Sequence, residues 1–203
     1  MERAFEEICG RADALDQVDF RGMTDGVIFR LGLGAIGDAC DARVLDRLIR
    51  SYLHHLETTV AEAPGFRVLP GVRELLDRCG SSARVALGLG TGNLERGARI
   101  KLERPGLNHY FSFGGFGSDH DDRSEVLRIG AGRGAERWGL SADQCRVVVV
   151  GDTPRDVTAA LAIGAECVAV GTGGHSLTEL HQAGASQVFE DLSARRALDA
   201  LLG

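Results

Sequence analysis

Apolar and polar positions follow two different patterns along the chain. Up to about residue 62, apolar residues recur three or four positions apart, which is the spacing of amphipathic helices. The longest such stretch covers residues 38–62, and Asp38 is its expected N-cap. Because this region lacks a clear strand pattern, we predict a helical unit over residues 1–65.

The pattern changes beyond residue 72. Short apolar runs, several of them rich in valine, alternate there with helix-like segments. The runs predict strands at Val85–Gly90, Phe111–Phe116, Val147–Asp152, Cys167–Thr172 and Gln187–Phe189. Strands that alternate with helices form a parallel sheet with helices on both faces. We therefore predict an α/β core over residues 66–203, with functional residues at the carboxyl ends of its strands.

Composition narrows the class of partner. The chain has 203 residues and a formal net charge of −6 without acidic or basic blocks, which argues against a protein that binds nucleic acid through phosphate contacts. Its apolar runs are short and charged residues follow Met1, so we expect no membrane partner, no secretory signal and a cytoplasmic location. The scattered cysteines contain no CxxC pair and are expected to be free thiols: Cys9, Cys40, Cys79, Cys145 and Cys167. Nothing in the sequence specifies an oligomeric state.

Residues suited to phosphate and metal follow two of the predicted strands. Thr91-Gly92-Asn93 offers a hydroxyl and backbone N–H groups, which suits a phosphoryl group. Asp152 and Asp156 form a carboxylate pair that can hold one Mg²⁺ with several waters retained. Arg123, at the start of a predicted helix, can clamp phosphate oxygens. Taken singly, the first motif also fits a simple turn and the second a helix cap.

In their order along the chain, these segments resemble the haloacid dehalogenase (HAD) superfamily, in its phosphoglycolate-phosphatase-like branch. LGLGTGN, which ends at Asn93, is similar to the second motif of that family, and VVVVGDTPRDVTAALAIGA, which begins at Val147, is similar to the fourth. LPGV, KLERPGLNHYF and the segment GTGGHSLTELHQAGASQVFEDL also look like that branch. The resemblance covers nearly the whole chain and implies a Rossmann-like parallel sheet core with a helical cap.

The resemblance also implies an activity, which is Mg²⁺-dependent hydrolysis of a small phosphorylated metabolite. In such enzymes an aspartate attacks phosphorus, and a second aspartate two residues later protonates the leaving alcohol. Thr91 would bind the transferring phosphoryl group, while Gly92 and Asn93 shape the loop around it. Asp152 and Asp156 would hold the metal, directly or through water.

Two further positions take their roles from the same resemblance. The third-motif cation would be Arg123, because it precedes the helix that leads into VVVVGD as the family order requires, and Lys101 is the alternative. Asp25 belongs to a Thr-Asp pair of the kind that this branch carries in its cap. There Asp25 would either face the substrate or cap a helix.

The family's first motif, DxDGT, which supplies the nucleophile, is not found. Its nearest counterpart is Thr24–Val27, but Met23 stands where the first aspartate would be. We expect either that the natural protein starts upstream of Met1, which the intact later motifs favour, or that this is a shortened phosphate- and metal-binding protein. In both cases the 203-residue chain is expected to be inactive. The missing strand would lie between the strands that end at Gly90 and Gly151.

A different class of function rests on the glycines of the first region. Gly32, Gly34 and Gly37 match GxGxxG before a helix, the fingerprint of a dinucleotide-binding oxidoreductase. Against this alternative, the preceding VIFRL is short and no second strand with a terminal acid follows.

Overall fold

The computed structural model describes residues 1–20, 22–37 and 41–202 of the chain. The helices are α1 (Glu2–Cys9), α2 (Asp25–Ala35), α3 (Ala42–Glu62), α4 (Val72–Gly80), α5 (Glu95–Glu103), α6 (Arg123–Glu136), α7 (Pro154–Ala162), α8 (Leu177–Gln182) and α9 (Arg195–Leu202). The strands are β1 (Leu89–Thr91), β2 (Gly114–Phe116), β3 (Val148–Gly151), β4 (Glu166–Val170) and β5 (Gln187–Phe189). This succession of helices and parallel strands confirms the predicted α/β class.

The helical unit has a core of its own. Helices α1, α2 and α3 bury Phe5, Phe29 and Tyr52 against one another, and the rings of Phe29 and Tyr52 meet edge to face at 5.6 Å between centroids. Aromatic pairs in this geometry add to the stabilisation from buried area. The three helices therefore form a packed body and not a set of separate surface helices.

Helix α3 begins later than the sequence pattern predicted. Asp41 is its N-cap, and the Asp41 carboxylate accepts a hydrogen bond from the backbone N–H of Arg43 at 2.9 Å. A carboxylate in this position satisfies one of the free N–H groups of the first turn. The prediction of Asp38 as the cap is therefore wrong, and Asp38 itself lies outside the described residues.

The glycines that suggested a dinucleotide site lie in a helix. Gly32 and Gly34 are both within α2 and follow no strand in the described chain, whereas the fingerprint requires a strand-to-helix turn. Gly32 instead makes room for a neighbouring side chain, since a Cβ atom there would lie 2.5 Å from the ring of Phe5. The oxidoreductase alternative, including the role suggested for Gly37, is therefore wrong.

Two parallel sheets carry the strands. One pairs β1 with β2, with Leu89 opposite Gly114, and the other has the order β3-β4-β5. In the described ranges β1 has a ladder partner on one side only and does not pair with β3. The first strand is accordingly shorter than the predicted Val85–Gly90, because residues 85–88 find no partner in the ladder. A further strand between β1 and β3 stays a prediction.

Strand β2 contains glycine where helix α6 packs directly against its backbone. A Cβ atom at Gly115 would lie 1.8 Å from the carbonyl oxygen of Val126 in α6, and one at Gly130 of α6 would lie 2.8 Å from the Gly115 nitrogen. The two backbones thus touch without side chains between them. This contact fixes the start of α6, where Arg123 lies.

Two expectations from composition can be compared with the fold. Among the described residues the cysteines are free thiols, as predicted: Cys9, Cys79, Cys145 and Cys167. Cys40 lies outside the described residues. No helix in residues 1–20, 22–37 and 41–202 combines the length and the apolar content needed to cross a membrane.

Candidate active site

A cavity of about 440 Å³ opens where the carboxyl ends of β1 and β3 approach each other. It has a wall from each sheet and a third wall from the helical unit. Every site residue that the sequence suggested lines it: Asp25, Thr91, Gly92, Asn93, Lys101, Arg123, Asp152 and Asp156. The fold therefore brings these residues into one place, while the role of each stays a prediction.

The loop after β1, residues 92–94, forms the first wall. Thr91 is the last residue of the strand, and its Oγ1 accepts a hydrogen bond from the backbone N–H of Asn93 at 3.2 Å. Gly92 is required by close contact with the helical unit, because a Cβ atom there would lie 2.6 Å from the Met23 carbonyl oxygen. The loop thus places a hydroxyl and small residues at the cavity, as a phosphoryl group would need.

Asp25 is the first residue of α2 and is almost fully buried, with 2% of its surface exposed. Its Oδ2 accepts from the Leu94 N–H at 2.9 Å, and its Oδ1 accepts from the Asn93 Nδ2 at 3.2 Å. Burial raises the pKa of this carboxyl above its ordinary value despite these hydrogen bonds. Asp25 thus joins the helical unit to the β1 loop, a role that neither sequence alternative described.

Both candidate cations are at the cavity, in different surroundings. The Lys101 ammonium donates to the Asn93 Oδ1 at 3.0 Å, and burial lowers its pKa. The Arg123 Nε donates to the Asp156 Oδ1 at 2.7 Å, with 23% of the arginine side chain exposed. Lys101 therefore faces the β1 loop, whereas Arg123 bridges towards the β3 loop.

Asp156 is committed to hydrogen bonds within the protein. Its Oδ1 accepts from Arg123, and its Oδ2 accepts from the Asp152 N–H at 3.1 Å and the Thr153 hydroxyl at 2.9 Å. Thr153 and Asp156 form the capping box of α7. Gly151 is needed beside them, because a Cβ atom there would lie 2.4 Å from the Asp156 Cβ.

Asp152 is the more available carboxylate of the pair. It is half-buried, and its Oδ2 accepts a long hydrogen bond from the Thr172 hydroxyl at 3.5 Å. Burial and then the charge of Asp156 raise the pKa of this carboxyl. Gly173 leaves room for it, since a Cβ atom there would lie 2.7 Å from the Asp152 Cγ.

The carboxylate pair fits a hydrated Mg²⁺ better than a closed protein cage. In the described ranges no three His, Cys, Asp or Glu side chains cluster as a metal site, and Mg²⁺ is usually held by one or two carboxylates with several waters kept. If the pair holds Mg²⁺, Asp152 would contact the ion directly, because fewer protein donors engage it, and Asp156 would act through water. A cation here would also offset the repulsion between the two charges.

The sequence reasoning missed two hydroxyl groups at the site. Thr153 orients Asp156, and Thr172, in the turn after β4, reaches Asp152. Both follow strands directly, so a scan of every strand end for hydroxyl residues would have found them. Tyr52 of α3 also lines the cavity, and burial raises the pKa of its phenol.

Comparisons with known proteins show what the chain is similar to. Residues 133–194, which include β3, Asp152 and Asp156, match the family model described as HAD-hydrolase-like. No curated protein sequence matches the chain.

Solved structures extend the likeness over the whole chain. A hydrolase from Pseudomonas syringae has a TM-score of 0.69 at 22% identity and covers 100% of this chain and 94% of its own. A predicted phosphatase from Clostridium acetobutylicum has a TM-score of 0.63 at 18% identity, and the alignment covers 99% of this chain and 89% of the phosphatase. A predicted phosphoglycolate phosphatase from Haemophilus somnus has a TM-score of 0.64 at 15% identity, and the alignment covers 95% of this chain and 85% of that protein. At such identities these likenesses show the fold, and the match to the family model is confined to residues 133–194.

Proposed function

We propose that this chain, which has a fold like that of HAD-family hydrolases and matches the HAD-hydrolase-like model over residues 133–194, binds the phosphoryl group of a small phosphorylated metabolite beside Mg²⁺. The observation that carries the proposal is the meeting of the Thr91 loop, Arg123 and Asp152 at one cavity. These groups come from separate sheets and a helix start, so no single turn or cap explains their convergence.

The residues at the cavity would each contact a different part of a bound phosphomonoester and its metal ion. The Thr91 hydroxyl and the β1 loop would contact the phosphoryl oxygens, and Arg123 would offset their charge from the opposite side. Asp152 would hold Mg²⁺ directly and Asp156 through water, and the bound ion would neutralise further phosphoryl charge. Asp156 also keeps Arg123 in place through their ion pair.

The cavity's carboxylates support binding without turnover by these 203 residues. Phosphoryl transfer of this family's kind needs a carboxylate nucleophile. Asp25 and Asp156 have their oxygens engaged by protein donors, and Asp152 is assigned to the metal. Phosphate and metal binding therefore form the part of the family's activity that this sequence supports.

The proposed partner is a small molecule in the cytoplasm and neither nucleic acid nor membrane. A cavity of about 440 Å³ accommodates a small metabolite. The net charge of −6 also disfavours a polyanion such as nucleic acid. Ile28 and Tyr52 of the helical unit face the same cavity and would contact the organic part of the substrate.

Calorimetric titration tests this proposal. We expect inorganic phosphate to bind saturably, and more tightly when Mg²⁺ is present, because the ion and the anion stabilise each other's binding. Asp152→Asn should abolish the Mg²⁺ effect while weak phosphate binding remains. p-Nitrophenyl phosphate should bind competitively and release no nitrophenol.

Two results would contradict the proposal. Absence of saturable phosphate binding by folded protein, with and without Mg²⁺, would reject the binding site. Release of nitrophenol that Asp152→Asn abolishes would reject the assignment of binding without turnover.

A further inference from the structure

Both carboxylate oxygens of Asp25 are engaged by the protein. Both carboxylate oxygens accept hydrogen bonds from the β1 loop, and the Asp25 backbone N–H donates to the Gly92 carbonyl oxygen at 2.7 Å. The residue exposes 2% of its surface although its neighbours line the cavity. The carboxylate and the backbone N–H of Asp25 together bond to three consecutive residues of one loop, Gly92, Asn93 and Leu94, so Asp25 acts on that loop.

Asn93 receives its orientation from two opposite charges. Its Nδ2 faces the Asp25 carboxylate, an acceptor, and its Oδ1 faces the Lys101 ammonium, a donor. A flipped amide would set donor against donor on one side and acceptor against acceptor on the other. The side chain of Asn93 is therefore held in one orientation, and its backbone is held with it.

The backbone N–H of Asn93 contacts the Thr91 hydroxyl. The Asn93 N–H donates to the Thr91 Oγ1 at 3.2 Å. A threonine hydroxyl has one proton to donate and two lone pairs that accept. Because the N–H uses one acceptor position of Oγ1, the hydroxyl proton is left for another acceptor, and Thr91 lines the cavity where a phosphate would bind.

We propose that Asp25 is a positioning residue that, together with Lys101, holds Asn93 so that the Thr91 hydroxyl presents its proton to a bound phosphate. The proposal rests on the proposed function, since it concerns the same phosphate site. It replaces the expectation that Asp25 contacts substrate. It also makes a residue of the helical unit responsible for order in a loop of the α/β core.

Substitution by asparagine separates this role from simple packing. Asp25→Asn keeps the shape but places an NH₂ group against the Leu94 N–H or the Asn93 amide, both of which are donors. We expect inorganic phosphate, titrated in the presence of Mg²⁺, to bind about tenfold more weakly to Asp25→Asn, as for the loss of one hydrogen bond to a charged group.

A double-mutant cycle distinguishes positioning of the Thr91 hydroxyl from a general effect of Asp25 on packing. In a Thr91→Ala background, Asp25→Asn should weaken phosphate binding no further, because the hydroxyl it orients is gone. Mg²⁺ affinity should be unchanged, since Asp152 lies on the β3 loop. Asp13→Asn, the same change at an exposed position of the helical unit, should bind phosphate as the original chain does.

Asn93→Ala is the second variant, for use if Asp25→Asn does not fold. It removes the anchored amide and keeps the backbone N–H, and phosphate should again bind about tenfold more weakly. The proposal fails if the folded variant used binds phosphate as tightly as the original chain, or if its effect is undiminished in the Thr91→Ala background. If the original chain binds no phosphate, the proposed function has failed instead.

Discussion

Asp152 and Asp156 lie four residues apart, yet their surroundings give them different tasks. Asp156, with 4% of its surface exposed, accepts hydrogen bonds from Arg123 and from the first turn of α7. Asp152 is less buried and its carboxyl has a raised pKa, because burial and the charge of Asp156 disfavour its ionised form. At the residue scale, Asp156 is bonded within the fold, whereas the ionised form of Asp152 is disfavoured by its surroundings and would be stabilised by a cation.

Neutralising these two carboxylates should therefore change stability in opposite directions. The pKa of Asp152 is raised in the folded state, which means that ionisation of this carboxyl destabilises the fold. The protein is therefore free of this penalty at low pH, where Asp152 is protonated, and acquires it as pH rises. In EDTA, Asp152→Asn should raise the urea midpoint at pH 7, and this gain should vanish below about pH 4, the pKa of the unfolded carboxyl. Asp156→Asn should lower the free energy of unfolding by about 2 kcal/mol at pH 7, because it weakens the ion pair with Arg123 and the cap of α7. Equal midpoints for the two variants at pH 7 would contradict this difference.

At the element scale, the fold depends on the contact between α6 and β2. Gly130 and Gly115 bring two backbones together without side chains, and α6 carries Arg123 at its start. The same helix contains Gly132, where a Cβ atom would meet nothing within 4 Å. Close packing thus requires a glycine at position 130, whereas position 132 has room for a larger side chain.

Alanine substitution at the two glycines should distinguish them. Gly130→Ala places a methyl group 2.8 Å from the Gly115 nitrogen. Overpacking of this kind destabilises by about 1–3 kcal/mol. Gly132→Ala adds helix propensity without a clash and should stabilise by about 0.5–1 kcal/mol. Urea unfolding followed by circular dichroism measures both, and a loss of stability in Gly132→Ala comparable to that in Gly130→Ala would refute the packing argument.

At the scale of the whole molecule, hydrogen bonds from the buried Thr24 and Asp25 and a more exposed ion pair attach the helical unit to the α/β core. Thr24, with 1% of its surface exposed, donates from its hydroxyl to the Asp121 carbonyl oxygen at 3.2 Å, and Arg30 pairs with the Asp121 carboxylate. Asp25 fastens the same end of α2 to the β1 loop. The helical unit is thus bonded to both loops that approach the cavity from β1 and β2.

Thr24→Val tests this attachment, because valine keeps the shape and removes the hydroxyl. We expect a loss of about 1 kcal/mol in the free energy of unfolding, for one buried hydrogen bond. Amide hydrogen exchange in residues 117–123 should also quicken. Thr59→Val is the control, since the Thr59 hydroxyl is exposed and bonds within its own helix to the His55 carbonyl oxygen. Unchanged exchange in Thr24→Val would show that the attachment does not order this loop.

The sequence was most informative where structure depends on neighbours along the chain. The pattern predicted β5 at Gln187–Phe189, where the structure has it, and it placed the other strands within a few residues. It also selected eight of the residues that line the cavity, because parallel strands bring their carboxyl ends to one side of a sheet, but it missed Thr153 and Tyr52. It overextended the first strand, whose length is limited by its partner, and it misplaced the cap of α3.

By itself, then, the sequence determined the α/β class and most of the polar residues at the site, since hydrophobic period and strand-end position are local properties. Tertiary structure decided what those residues bond to. Asp25 meets Asn93 and Leu94 from 68 and 69 positions away, and Arg123 meets Asp156 from 33 positions away. No local pattern encodes such pairings, because they arise only when separate elements pack and each buried charge must find a partner.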